Sequence, residues 1–241
     1  VNNGLSVGNG WLGIQLTNVD NAVLQDLDLS DTPGNYSNQV GVQVETGSDN
    51  VTISNVNASG MATAGIKVIS ALNPTIQNNQ VRDSGIGIQF LNVTGIAVGA
   101  VTGNKFDGDS IGLQLENGQT GLSIGDASVA TAHIRLEDGT SGLTSTSRPL
   151  NFLNVDNATI DNVDMSNATT VRTGEGLRAD SGSDFLVIQN SNFANRASGL
   201  ITISSKDLTL NNNSFTNNTE AISLQSPLKA TAAALLVGAG N

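Results

Sequence analysis

The residues of this 241-residue chain best suited to chemistry are His133 and Arg135, two places apart, with Glu116 and Glu137 as the nearest carboxylates in a stacked arrangement. If the strands that carry them lie side by side, the two glutamates stand about 5 Å apart, one strand spacing. Such a pair suits retaining glycoside cleavage or a hard-cation site, and His133 or Arg135 supplies a base toward a uronic acid. The competing reading is a solvated face whose alternating charges keep the protein soluble. Two acidic runs raise the question of Ca²⁺: "DLDLSD", with Asp26, Asp28 and Asp31, and "FDGDS", with Asp107 and Asp109. Neither completes an EF-hand loop. Asp26 reads better as a member of a stacked ladder of Asn and Asp side chains, and Asp28 as an outward strand residue. The chain has no cysteine, which excludes disulfides and thiolate metal sites, and no cofactor is expected.

A repeat must position these residues. "LTLNNNSF" (208–215), "LVIQNSNF" (186–193), "ATIDNVDM" (158–165), "LSIGDASV" (122–129), "PTIQNNQV" (74–81), "VTISNVNA" (51–58) and "AVLQDLDL" (22–29) share one template. An apolar residue is followed two places later by Asn or Asp (Asn212, Asn190, Asn162, Asp126, Asn78, Asn55, Asp26), and three places further by another apolar residue. A second family, "LGIQL", "VGVQV", "AGIKV", "IGIQF", "IGLQL", interleaves with it, and its glycines at 13, 41, 65, 87 and 112 lie 28, 24, 22 and 25 residues apart. Periods of this size signal a solenoid. Alternation at period two and enrichment in Val, Ile and Thr predict strands, and nothing between copies is long enough for a helix.

The expected architecture is therefore all-β: one parallel β-helix domain over residues 1–241, of nine to ten coils, with repeats spanning 10–225. Each coil must bend sharply after its second strand, and Asn tolerates the left-handed backbone there at least cost. Stacked coils would align these side chains as an internal Asn ladder whose bonds reinforce one another. Residues 226–241 read either as a short cap helix, with Ser226 as N-cap, Pro227 in the first turn and Gly238 as the stop, or as a coil cut short. No cap is evident ahead of the first coil.

On these repeats, over residues 10–225, the chain resembles the right-handed parallel β-helix proteins of the pectate-lyase-like superfold. The resemblance implies right-handed coiling, an Asn ladder at the second turn, and a ligand groove along the face of the first strands. It leaves activity open, because this superfold hosts lyases, glycosidases, epimerases, phage tail proteins, autotransporter passengers and other adhesins. His133 is followed by Ile134, so the polygalacturonase-like Gly-His-Gly and Arg-Ile-Lys signatures are absent, as is the Asp-Pro-His-Asp core of alginate epimerases. The longer loops, 30–39 and 137–149, are polar and lack paired acids with a partner base.

In each "GIQL" strand the residue between two inward apolar ones faces out. Stacking turns these into a row: Gln15, Gln43, Lys67, Gln89, Gln114, Arg135, Asn151, Arg178, Thr202 and Ser223, beside a row that is mostly Gly with His133 replacing it once. Gln43, Lys67, Gln89, Gln114, Arg135 and Arg178 are the predicted ligand-binding residues, for a polysaccharide or a cell-surface ligand. Aromatic platforms are scarce, with one tryptophan, Trp11, and one tyrosine, Tyr36. Net charge −11 disfavours nucleic acid and anionic membrane, and the longest apolar run, "ATAAALLVGAG", is too short to span a bilayer. The chain opens on Val1 inside what reads as a coil, and is expected to be a piece of a longer protein. The expected role is a non-catalytic segment, extracellular or at the cell surface, acting as rigid spacer and adhesive face. The alternatives are a polysaccharide lyase or glycoside hydrolase using His133, Arg135, Glu116 and Glu137, and a fibre subunit that stacks end to end.

Overall fold

Short apolar strands punctuated by Asn and Gly leave no room for helix, and among the described residues there is none, so none is long and apolar enough to cross a membrane. The computed structural model describes residues 4–7, 11–31, 38–97, 100–117, 123–124, 135–137, 148–167, 170–225 and 235–237. They form a right-handed parallel β-solenoid. Its long sheet has ten strands: Gly4–Val7, Leu12–Thr17, Val40–Val44, Ala64–Ile69, Ile86–Leu91, Ile111–Glu116, Arg148–Leu153, Glu175–Asp180, Ser198–Ile203 and Glu220–Gln225. All pair in parallel except Gly4–Val7, which runs antiparallel to Leu12–Thr17 and covers the edge of the first coil, where the sequence showed no cap. The intervals between the parallel strands trace about seven turns, fewer than the nine to ten coils counted from the repeats. The interval from Glu116 to Arg148 passes largely outside the described residues.

The second face is built from three-residue strands such as Thr52–Ser54, Thr75–Gln77 and Thr159–Asp161, in sheets of four and five strands. The third face holds Gln80–Arg82, Lys105–Asp107 and Arg135–Glu137. Leu235–Val237 pairs in parallel with Leu208–Asn211, so this part of the tail is a strand, and the cap-helix positions Ser226, Pro227 and Gly238 lie outside the described residues. Inward positions of all three faces meet in one core, including Val42, Ile66, Ile88 and Leu113 from the long sheet, Ile53 and Ile76 from the second face and Val81 from the third, all fully buried.

The glycines of the long sheet serve this core. The pairing register steps from Leu12↔Val40 to Ile14↔Val42, passing over Gly13 and Gly41. A Cβ on Gly41 would stand 2.8 Å from the Ala58 Cβ, and one on Gly65 would stand 2.7 Å from a Val81 methyl. On Gly87 and Gly176 it would meet the rings of Phe106 and Phe193 at 2.5 and 2.8 Å. The glycine row expected on the surface therefore faces inward, where a side chain from the third face fills the space a Cβ would need.

The bend after the second strand is left-handed as predicted. Asp26, Asn55, Asn78, Asn162, Asn190 and Asn212 have φ between 51° and 57°. Their side chains, however, point outward or lie at the surface, bonding along the exterior: Asn212 donates to Asn190 Oδ1 at 2.8 Å, and Asn55 to Asp26. The internal ladder lies one residue later. Asn79 and Asn104 are buried, and the Asn79 amide donates to Asn104 Oδ1 at 2.9 Å and to the Ile53 carbonyl at 3.0 Å. Asn104 in turn donates to the Ile76 carbonyl at 2.8 Å. Asn213 repeats the pattern, accepting from the Ser191 backbone and donating to the Ile188 carbonyl. A left-handed residue turns the chain so that its own side chain swings out and its successor's swings in.

Candidate functional site

The outward middle row of the long sheet is Gln15, Gln43, Lys67, Gln89, Gln114, Asn151, Arg178, Ile201 and Ser223, as the register pairs them. This brings together Gln43, Lys67, Gln89, Gln114 and Arg178, five of the six predicted ligand-binding residues. Thr202 is not in the row. It pairs with Ala179 on the core side, and Ile201 takes the outward station, because "LITI" allows either register and the inward neighbours Leu177 and Leu200 align first.

Arg135 is not in the row either. Its strand pairs with Lys105–Asp107 on the third face, Lys105↔Arg135 and Asp107↔Glu137. Glu116 lies in the long sheet between Leu91 and Leu153. The backbone thus puts Glu116 and Glu137 on strands of different sheets, and the carboxylate pair expected at one strand spacing does not form by stacking. The misplacement has a physical source: "AHIRL" has the apolar alternation of a long-sheet strand, but periodicity alone does not say which face a strand joins. His133 lies outside the described residues, as does Tyr36. Trp11 sits just ahead of the first parallel strand and is 76% exposed.

Glu45, Glu175 and Asp180 on the outer face are engaged by neighbours. Glu45 Oε1 accepts from Gln15 at 2.8 Å and Gln43 at 2.6 Å. Glu175 stands between Arg148 (2.5 Å) and Arg178 (3.4 Å), and Arg178 also reaches Asp180 at 3.5 Å. Asn151 donates to Gln114 Oε1 at 3.2 Å, both nearly buried although they point away from the core. In contrast, Lys67 and Gln89, half-buried and adjacent in register, make no hydrogen bond or ion pair with any of these groups. They are flanked by the partly exposed side chains Ile86, Ile69 and Leu91. The arrangement is a narrow polar row between apolar shoulders, with cations at Lys67, Arg148 and Arg178, suited to an extended ligand lying across the strands.

The acidic runs behave as turn chemistry. Asp28 Oδ1 accepts from the Ser30 hydroxyl at 2.7 Å, the Ser30 backbone at 3.1 Å and Asn57 at 3.1 Å. The Ser30 hydroxyl above all, then its N–H, holds the Asp28 carboxyl below the usual range. Asp31 accepts from the Asn38 backbone and Asp109 from the Ser84 backbone. Among the described residues no three potential metal ligands of the His, Cys, Asp or Glu type converge. Ser30→Ala should raise the Asp28 pKa toward its model-peptide value, read by NMR titration of the carboxyl. Because the folded pKa is depressed, Asp28 adds stability above its unfolded pKa and loses that contribution as pH falls through the folded one. An unchanged titration in the variant would refute the assignment.

Comparison with known proteins agrees with this geometry. The solved structure of the mannuronan C-5 epimerase AlgE4 A-module from Azotobacter vinelandii superposes with a TM-score of 0.54 at 16% identity, over 91% of this chain and 61% of that one. At such identity the likeness is one of fold, and this chain spans about three fifths of that module's length. No curated protein sequence matches. The profile of the family described as right handed beta helix region matches residues 4–141. That is more than half of the 241 residues, and the chain belongs to the right-handed β-helix family.

Proposed function

We propose that this chain is a rigid, non-catalytic β-helical segment, extracellular or at the cell surface, whose long-sheet face binds an extended acidic polysaccharide. The observation that carries the reading is the free pair Lys67 and Gln89 at the centre of an amide row. Successive coils repeat about every 4.8 Å, a spacing comparable with the rise of one sugar in an extended chain, so one coil can meet one residue of the polymer. Lys67, Arg148 and Arg178 offer the positive charge that a uronate selects, and the amides between them bond its hydroxyls. The structural neighbour is an epimerase module that acts on mannuronan, a polymer of this class. Binding rather than turnover is favoured because Glu45 and Glu175 on this face already hold amide or guanidinium partners, and Glu116 stands between Leu91 and Leu153 with no second carboxylate stacked on it.

Surface-immobilised polymannuronate and polygalacturonate, with binding followed by interferometry, test this. Lys67→Glu should weaken binding about tenfold, corresponding to about 1.4 kcal/mol, and Arg178→Gln by less, since Arg178 is already shared between Glu175 and Asp180. Equal affinity of the Lys67 variant would remove the long-sheet face as the site. Appearance of ultraviolet-absorbing unsaturated ends, abolished by His133→Ala or Arg135→Ala, would replace the binding reading with a lyase.

A further inference from the structure

Two corners of the solenoid have nearly the same sequence. Residues 45–50 read Glu-Thr-Gly-Ser-Asp-Asn and residues 180–185 read Asp-Ser-Gly-Ser-Asp-Phe. Each follows a strand of the long sheet, and their internal bonding matches station by station. The fully buried Ser48 and Ser183 each accept the backbone N–H of the preceding coil, from Val19 and Val155, both at 3.1 Å. Asp49 and Asp184 donate their N–H to Asp20 and Asp156 at 3.0 and 2.9 Å. Their carboxylates accept from the next coil, at Leu72 and Lys206. The last residue is left-handed in both, φ 54° at Asn50 and 56° at Phe185.

The corners differ in what that last residue does. Asn50 accepts a hydrogen bond from Asn73 at 3.1 Å, and Asn21, Asn157 and Asp207 hold the same left-handed station on other coils. A bulky residue is poorly suited to this backbone, yet Phe185 occupies it with 49% of its surface exposed. The substitution is not isolated. Two residues later, where Thr159 and Thr209 stand on the adjacent coils, this coil has Val187. One coil therefore places an exposed aromatic ring at a station where the backbone favours Asn, with a partly exposed valine two residues on. A bulky residue held in a disfavoured backbone conformation with half of its surface exposed is the pattern of a functional position.

We infer that Phe185, with Val187 beside it, is a stacking platform for a pyranose ring of a neutral glycan, at a site separate from the long-sheet face. An exposed aromatic face offers apolar area with defined orientation; in register, Thr159 and Thr209 flank Val187, and Asn157 holds the station of Phe185 on the preceding coil, so hydrogen-bonding residues stand on the adjacent coils. Among the described residues, Asp156, Asp184 and Asp207 outnumber the one cation near them, Lys206, whose Nζ is 3.1 Å from Asp184, so a uronate would be repelled here. One ring and one valine are far smaller than a protein interface, which needs about 1,000 Å² in total.

Calorimetric titration and saturation-transfer NMR with cello-, manno-, xylo- and chitohexaose test the inference. At least one hexaose is expected to bind, to lose about tenfold or more in affinity with Phe185→Asn, and to be retained by Phe185→Tyr. The Asn variant recreates the sister corner, so its melting temperature should equal or exceed that of the wild type, which separates lost binding from lost folding. Binding of none of the hexaoses, or equal binding by the Asn variant, would overturn the platform. A lower melting temperature in that variant would do so too, since Phe185 would then be a packing residue.

Discussion

Asn79→Leu is expected to lower the stability of the solenoid by about 3 kcal/mol, although Leu is apolar, similar in size and placed in a buried site. Asn79 is fully buried and uses both ends of its amide. Its Oδ1 accepts the Val56 N–H at 2.9 Å, and its Nδ2 donates to the Ile53 carbonyl and to Asn104 Oδ1. Leucine leaves the Val56 N–H without its partner in a site closed to water, an orphan that costs about 1–3 kcal/mol, and removes the second of the bonds accepted by the Ile53 carbonyl, which also sits in the parallel ladder. Asn104 keeps an acceptor bond from the residue-79 backbone, which limits the loss. For a chain of this size the melting temperature should fall by roughly 6–12 °C. In a solenoid each coil leans on its neighbours, so hydrogen exchange should quicken first in the coils from Val51 to Phe106. A variant that melts within a degree or two of the wild type would show that the amide ladder is not a support of the fold.

Gly65→Ala should be comparably damaging, and the cause is space, since no left-handed φ is involved. The added Cβ would lie 2.7 Å from the Ala58 carbonyl oxygen, 2.7 Å from a Val81 methyl and 2.9 Å from the Gly87 carbonyl oxygen. Two of the three obstacles are backbone oxygens, one on the third face and one on the next strand of the long sheet, so relief requires the backbone to move. Overpacking of this kind costs about 1–3 kcal/mol. Gly182→Ala is the matched control: its φ is +80° but nothing stands closer than the Ser204 oxygen at 4.0 Å, so it should lose only the roughly 1–2 kcal/mol of a left-handed alanine. Chemical denaturation of the two variants distinguishes the mechanisms. If Val81→Ala restores part of the Gly65→Ala loss, steric conflict is confirmed as the cause, whereas no rescue would argue against it.

Both predictions concern features that the repeat made visible and whose direction it left open. The left-handed stations at Asn55, Asn78, Asn162, Asn190 and Asn212 were legible because backbone preference is local: Asn tolerates that conformation wherever it sits. Which amide faces the core was not legible, because Asn78-Asn79 and Asn212-Asn213 offer two candidates and the choice depends on how the bend rotates each Cα–Cβ bond. The long-sheet glycines were legible as a marker of the coil and misread as surface, because a strand read at strict period two cannot show that Gly65 and Ile66 both face inward. The row from Gln15 to Gln114 followed directly from alternation, while Ile201 and Thr202 exchanged places because "LITI" is apolar in either register.

The sequence by itself determined that this protein is a β-solenoid, since a period near two dozen residues combined with two-residue alternation admits no other stacking, and it determined where each coil bends. Tertiary structure alone decided what the surfaces hold: that Arg135 and Glu137 join the third face, that Lys67 and Gln89 are left free on the long sheet, and that Phe185 stands exposed at a station suited to Asn. The reason is that coil shape follows from short-range preferences repeated in every copy. Neighbours across coils are set by packing among residues far apart in the chain, and a single inward glycine is enough to change which side chains meet.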